Sequence, residues 1–136
     1  MKTFVNVMKA AADPTRVKML KMLQHRPLCV CEIYTALGIA QSTASKHLKI
    51  LEEAGLVRSW KEGLWVNYDI TDGADSPYAA NLIGNLRHWL DDDPIVRDVT
   101  RRLGSIRRET ICAGRADPAA PKTSRNSDLL IELPRQ

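Results

Sequence analysis

The fold is decided by residues 28–57, which read LCVCEIYTALGIAQSTASKHLKILEEAGLV. Within this stretch Gly38 separates two apolar stripes that have helical spacing. Glycine readily adopts the positive φ with which many helices end. The first stripe contains Ile33 and Leu37, and the second contains Ala44, Leu48 and Leu51. This pattern predicts two short helices joined by a glycine turn, which is a helix-turn-helix.

The second helix has an outward face that suits DNA. A helix has 3.6 residues per turn. If the apolar stripe is buried, small hydrogen-bonding and cationic side chains therefore point toward solvent. Such side chains can reach base edges and phosphates in a major groove. The predicted DNA-binding residues are Gln41, Ser42, Thr43, Ser45, Lys46, His47 and Lys49 of this helix, and Lys61 of the segment that follows. The same pattern also fits the solvated face of an ordinary helical pair.

A β-hairpin is predicted after the second helix. Val66, Tyr68 and Ile70 alternate with polar residues, as a half-buried strand requires. The turn before them contains Gly63, and a short glycine-containing loop between two strand-like segments is a hairpin signal. A β-hairpin that directly follows the second, DNA-contacting helix of a helix-turn-helix is called a wing. The predicted fold class is therefore mainly α with a small β-hairpin wing, a winged helix-turn-helix.

Further helices are predicted on both sides of this unit. Two of them begin with a capping side chain followed by proline, namely Asp13 with Pro14 and Ser76 with Pro77. The predicted spans are 2–11, 14–24, 77–90 and 94–112. The apolar face of the last helix comprises Ile95, Val99, Leu103 and Ile106. Ala, Pro, Ser and Arg dominate thereafter, so residues 113–136 are predicted to be a disordered tail.

Several of these segments resemble the ArsR/SmtB family of winged-helix metalloregulators, over roughly residues 3–90. The LCVCEI segment resembles the arsenical-resistance repressors within that family. The motifs that carry the resemblance are ADPTR at 12–16, LCVCEI at 28–33, QSTASKHLKILEEAGLV at 41–57, and a hairpin with Arg58, Gly63 and Tyr68.

The resemblance implies a homodimeric repressor that binds double-stranded operator DNA and releases it on binding As(III) or Sb(III). It also implies that residues 1–90 form the DNA-binding and dimerisation domain, with the 77–90 helix pairing against the first helix of a second subunit. Residues 91–112 then form an additional C-terminal helix.

Cys29 and Cys31 are the candidate inducer ligands. On an extended chain, side chains at i and i+2 point the same way, whereas in a regular helix they diverge by about 160°. A chelate therefore requires an extended or distorted backbone where the helix begins. Two thiolates suit a soft ion. The alternative is a pair of small buried apolar residues, since cysteine is commonly found in protein cores.

Trivalent arsenic prefers three thiolates, and close arsenical repressors have a third cysteine where this chain has Tyr34. Cys112 is the remaining thiol among the three cysteines of the chain. We expect it to complete the site within one subunit or across the dimer. A two-thiolate site closed by water or an external thiol is the alternative.

The chain of 136 residues carries a formal charge of +4, and residues 1–90 hold eleven Lys and Arg against eight Asp and Glu. This mild basic excess suits a polyanionic partner. No apolar run approaches the ~20 residues of a membrane span, and no signal peptide is recognisable, so we expect a cytoplasmic protein without membrane contact. Cysteines in a reducing compartment favour ligation or redox sensing over structural disulfides.

Other functions remain open on the sequence alone. A repressor of the same class could respond to Cd(II), to Zn(II) or to thiol oxidation, and a DNA-binding module could act without any ligand. A thiol redox protein that uses the CxC pair belongs to a different class. It is disfavoured because no βαβ unit and no nucleophile with a nearby base can be placed. We therefore predict that the protein is not an enzyme.

Overall fold

The computed structural model describes residues 1–107 and residue 111. The predictions for Cys112 and for the 113–136 tail lie outside the described residues. The elements are α1 (Lys2–Ala11), α2 (Pro14–Leu23), β1 (Leu28–Cys29), α3 (Val30–Leu37), α4 (Gln41–Glu53), β2 (Val57–Glu62), β3 (Trp65–Ile70), α5 (Pro77–Leu86) and α6 (Pro94–Gly104). No helix among these is long and apolar enough to span a membrane.

The predicted helix-turn-helix is confirmed as α3 and α4. Gly38 ends α3 with a φ of +68°, in the left-handed region that a glycine adopts without strain. The predicted inward stripe of α4, which comprises Ala44, Leu48 and Leu51, is fully buried. Burial of a leucine side chain contributes roughly 1.5–3 kcal/mol, so this stripe is a main attachment of α4 to the rest of the core.

The wing forms a three-stranded antiparallel sheet with the strand order β1-β3-β2. β2 and β3 are joined at Gly63 and Leu64, within the glycine-containing turn that was predicted. Cys29 of β1 pairs with Asn67, which in turn pairs with Trp60 of β2. The CxC segment is therefore joined directly to the wing by backbone pairing.

Asn67 differs from the predicted alternation, because it is buried although it was expected on the polar face of its strand. Pairing with β1 on one side and β2 on the other covers this part of β3. The Asn67 side chain donates a hydrogen bond to Glu62 Oε1 at 2.8 Å, which compensates for its removal from water.

α5 begins as predicted, with Ser76 Oγ accepting from the Ala79 amide, but ends at Leu86, before the predicted end at Leu90. Lys21 of α2 caps this end, because its buried ammonium donates to the carbonyl oxygens of Leu86 and Trp89, each at 2.8 Å. Such carbonyls at a helix C-terminus lack a full set of intrahelical partners, and the Lys21 ammonium satisfies them.

α6 ends at Gly104, whereas the apolar pattern predicted a helix that continues to 112. Its inward face is also shifted, because Ile95 is 61% exposed and Val96 is buried with Val99 and Leu103. α6 packs on α2 and α3, and this packing selects the face that is buried.

Candidate nucleic-acid interface and thiol site

The structure exposes the predicted reading face of α4. Lys61 is also exposed, on β2, and Ser45 and His47 are half-buried. The exposed members on α4 are Gln41, Ser42, Thr43, Lys46 and Lys49. These side chains present amide, hydroxyl and ammonium groups on one helix face, which is the chemistry that base edges and phosphates bind.

His47 is held by a residue from another helix. The Arg16 guanidinium of α2 places NH1 3.0 Å from His47 Nδ1. The same guanidinium donates through Nε to the Ala10 carbonyl at 2.7 Å and through NH2 to the Lys9 carbonyl at 3.3 Å. Arg16 therefore joins the end of α1 to the reading helix. No local sequence pattern could have indicated this contact, because 31 residues separate Arg16 from His47.

Cys29 lies at the junction of β1 and α3 and is the N-cap of α3. Its backbone is extended, with φ −82° and ψ 161°, and its sulfur accepts from the Glu32 amide. The Cys29 amide donates in return to Glu32 Oε1 at 2.9 Å. This reciprocal pair is a capping box in which a thiol takes the place of the usual hydroxyl.

Glu32 contacts Cys29 directly, and the sequence analysis did not predict this contact. Its carboxylate is buried, yet it accepts both from the Cys29 amide and from Arg26 NH1, each at 2.9 Å. A buried carboxylate is tolerable when it is paired and hydrogen-bonded in this way. The spacing of a capping residue and Glu three positions later could have identified it, had cysteine been considered as a cap.

Burial raises the pKa of the Cys29 thiol to about 11, and the nearby negative charge of Glu32 adds to the effect. The backbone amides of Glu32 and Cys31 act in the opposite direction and do not cancel it. Cys29 is therefore a protonated thiol at neutral pH, and any ligand that binds the sulfur must displace this proton.

Cys31 is half-buried in the first turn of α3, which begins at Val30. The pair therefore consists of an extended Cys29 and a helical Cys31. Cys31 is disulfide-bonded. Within residues 1–107 and 111 no group of three or more His, Cys, Asp or Glu side chains is arranged to hold a metal ion. The proposed third ligand, Cys112, is outside that part of the chain.

The chain is similar to known bacterial regulatory proteins. Residues 13–59 match the family model described as a bacterial regulatory protein of the arsR family. The arsenical resistance operon repressor of Escherichia coli K12 is 32% identical over 112 residues, which cover 80% of this chain and 95% of that protein. A homologue of the cadmium resistance regulatory protein CadC from Staphylococcus aureus is 39% identical over 67 residues, covering 48% of this chain and 55% of that protein.

Among solved structures, the homodimeric winged helix-turn-helix domain of Mb0332 from Mycobacterium bovis is similar, with a TM-score of 0.56 and 32% identity. The match covers 67% of this chain and 81% of that one. The fold and the family are those of transcriptional regulators and not of enzymes. The match to nearly the whole E. coli repressor shows that this chain belongs to the ArsR family and is a DNA-binding transcriptional regulator.

Proposed function

We propose that this chain is a homodimeric repressor that releases its operator when As(III) or Sb(III) binds the thiolates of Cys29 and Cys31. The observation that carries the proposal is the position of Cys29. It is at once the cap of α3, which packs on the reading helix α4, and a strand partner of the wing. A change at this sulfur therefore acts on both parts of the DNA-binding unit.

The fit to arsenic lies in the donor set. Two soft sulfurs flank the first residue of α3, and Cys29 already has the extended backbone that a chelate requires. Cys31 is helical, so drawing its sulfur toward that of Cys29 would unwind the first turn of α3. We propose that Cys112 supplies the third sulfur.

The energy of the cap alone is too small to produce a complete response. Loss of an N-cap costs about 1 kcal/mol, which is roughly a fivefold change in an equilibrium. Allosteric couplings are typically about 1–3 kcal/mol. We infer that release of DNA also requires a change in the β1–β3 pairing or in the packing of α3 on α4. Cys29 belongs to β1 and caps α3, so a ligand on its sulfur can affect both.

The raised pKa of Cys29 favours arsenite over divalent cations as the inducer. Cd(II) or Zn(II) must release the thiol proton into solvent, so they compete with protons at neutral pH. Neutral arsenous acid carries hydroxyl groups that leave as water with the thiol protons, and this exchange releases no net proton. A thiol with a pKa of about 11 therefore weakens binding of the cations but not of arsenite.

The proposal is tested by fluorescence anisotropy of labelled operator DNA with fully reduced protein. We expect wild type to bind the operator and to release it when arsenite is added. The Cys29→Ser/Cys31→Ser double variant should bind equally well and ignore arsenite. Release of DNA from the double variant, or retention of DNA by wild type with arsenite, would contradict the proposal.

Thiol oxidation is a second candidate signal, and the observation that favours it is the disulfide-bonded state of Cys31. Formation of a disulfide removes two electrons and two protons from a pair of thiols, which an oxidant such as hydrogen peroxide accepts. If oxidation is the signal, peroxide should lower operator affinity, dithiothreitol should restore it, and Cys31→Ser should respond to neither. Equal operator affinity of the oxidised and reduced proteins would exclude this signal.

A further inference from the structure

We infer that Arg16 is a positioning residue for DNA reading, which holds His47 in the neutral tautomer that offers an Nε2 proton to a phosphate group. The inference rests on the proposed contact between α4 and DNA. It adds to that proposal a residue from outside the helix-turn-helix and a defined protonation pattern for one side chain.

The tautomer follows from the chemistry of the contact. Arg16 NH1 is 3.0 Å from His47 Nδ1. A guanidinium has five donor hydrogens, has no acceptor and keeps its charge in proteins. Nδ1 must therefore accept this hydrogen bond, which requires it to be unprotonated. A neutral imidazole carries its one proton on the other nitrogen, so His47 has Nε2–H.

The guanidinium is itself fixed, which is what allows it to orient another side chain. Two of its other nitrogens donate to the last-turn carbonyls of α1, those of Ala10 at 2.7 Å and Lys9 at 3.3 Å. Asp13 competes poorly for the imidazole, because its Oδ2 is 3.9 Å from Nδ1 and accepts from the Arg16 amide at 3.1 Å. Arg16 therefore determines which ring nitrogen is protonated.

A fixed tautomer matters because phosphate oxygens only accept hydrogen bonds. The His47 side chain remains 22% exposed and follows Lys46 on the outward face of α4. With Nε2–H it can donate to a backbone phosphate. The other tautomer would present a lone pair to the same oxygen and repel it. Arg16 thus keeps Nε2 of His47 protonated in the free protein. No affinity is then lost to the population of the other tautomer.

Long-range 1H–15N correlation spectra of the wild-type imidazole test the local step without DNA. At a pH where the ring is neutral, we expect a protonated Nε2 and an unprotonated Nδ1. The Arg16→Met variant should show a mixture of both tautomers. A wild-type spectrum dominated by the Nδ1–H form would overturn the inference, whether or not the protein binds an operator.

Operator affinities of wild type, Arg16→Met, His47→Ala and the double variant test the functional step. Loss of one net hydrogen bond should weaken binding about tenfold in His47→Ala. Arg16→Met keeps the ring but as a mixture of tautomers, so binding should weaken only about twofold, in proportion to the fraction that keeps Nε2–H. The double variant should bind no worse than His47→Ala, because Arg16 acts through the ring. If the two losses multiply to about twentyfold, Arg16 has an independent role and the inference fails. A wild type that binds no operator rejects the proposed function instead.

The salt dependence separates positioning from direct phosphate contact. Arg16→Met should leave the slope of log affinity against log salt unchanged, whereas loss of a cation on phosphate would reduce its magnitude by ~0.9. Arg101→Met is a matched control for the loss of charge, since Arg101 is exposed on α6 and pairs with Asp98. The control should bind like wild type, and an equal loss in both variants would overturn the inference.

Discussion

Cys29 has two roles in the proposed mechanism, and a pair of substitutions separates them. The serine hydroxyl oxygen can accept a hydrogen bond from the Glu32 amide as the Cys29 sulfur does, whereas alanine has no side-chain acceptor and cannot cap the helix. We expect both Cys29→Ser and Cys29→Ala to lose the arsenite response. The alanine variant should be less stable than the serine variant by about 1 kcal/mol, measured by urea unfolding. A serine variant that still responds to arsenite would show that Cys29 is only a structural cap.

The raised pKa of Cys29 also predicts how inducer binding depends on pH. Below a pKa of about 11 the thiolate fraction rises tenfold for each pH unit. The apparent affinity for Cd(II) should therefore rise at least tenfold per unit between about pH 6 and 8, since binding releases this proton. Arsenite affinity should stay nearly constant, because hydroxide ligands take up the thiol protons. Competition titrations of reduced protein at several pH values measure both, and a steep rise for arsenite would contradict the assignment of the inducer.

At the scale of the element, the orientation of α4 predicts two classes of variant. Replacing Lys46 or Lys49 with Ala should weaken binding to all sequences and reduce the magnitude of the salt slope by ~0.9 each, as expected for phosphate contacts. Changes at Gln41, Ser42 or Thr43 should instead alter which base is preferred. Arg97→Ala, at an exposed position on α6, is the control for the loss of one charge and should bind normally. Unchanged binding by Lys46→Ala at every salt concentration would reject this orientation.

For the whole molecule, the apolar surface of α1 and α5 supports a dimer. Phe4 is 44% exposed and lies edge-on to Tyr78, with ring centroids 5.3 Å apart, and Met8 is 37% exposed. Phe4→Glu with Met8→Glu should therefore yield monomers with greatly reduced operator affinity, measured by light scattering and anisotropy. Leu86 is unsuitable for this test, because it is buried within the subunit and its replacement would damage the fold.

Ile95→Glu is the matched control for dimerisation, since Ile95 is 61% exposed on α6. It should remain dimeric and bind normally. A two-fold dimer should also protect two half-sites about 34 Å apart, or a multiple of that distance, in a footprint. Monomeric Phe4→Glu/Met8→Glu protein that binds as tightly as wild type would contradict the dimer.

Sequence patterns alone predict the helix-turn-helix, the wing and the exposed side of α4. Each depends on local signals: apolar residues at i, i+4 and i+7 from Ala44 onward, a positive φ that Gly38 accepts, and alternation around Tyr68. The sequence also places the CxC pair where α3 begins, because the apolar stripe of α3 is a local pattern too.

Other features of the molecule depend on which elements become neighbours in the folded chain, and the sequence patterns do not give them. The end of α5 is capped by Lys21, which lies 65 residues away from Leu86. The buried face of α6 is set by packing on α2 and α3, so Val96 and not Ile95 is inside. The inferred tautomer of His47 on α4 depends on its contact with Arg16 of α2. Hydrogen bonds of this kind join groups that no periodic pattern relates, so only the folded arrangement of the chain reveals them.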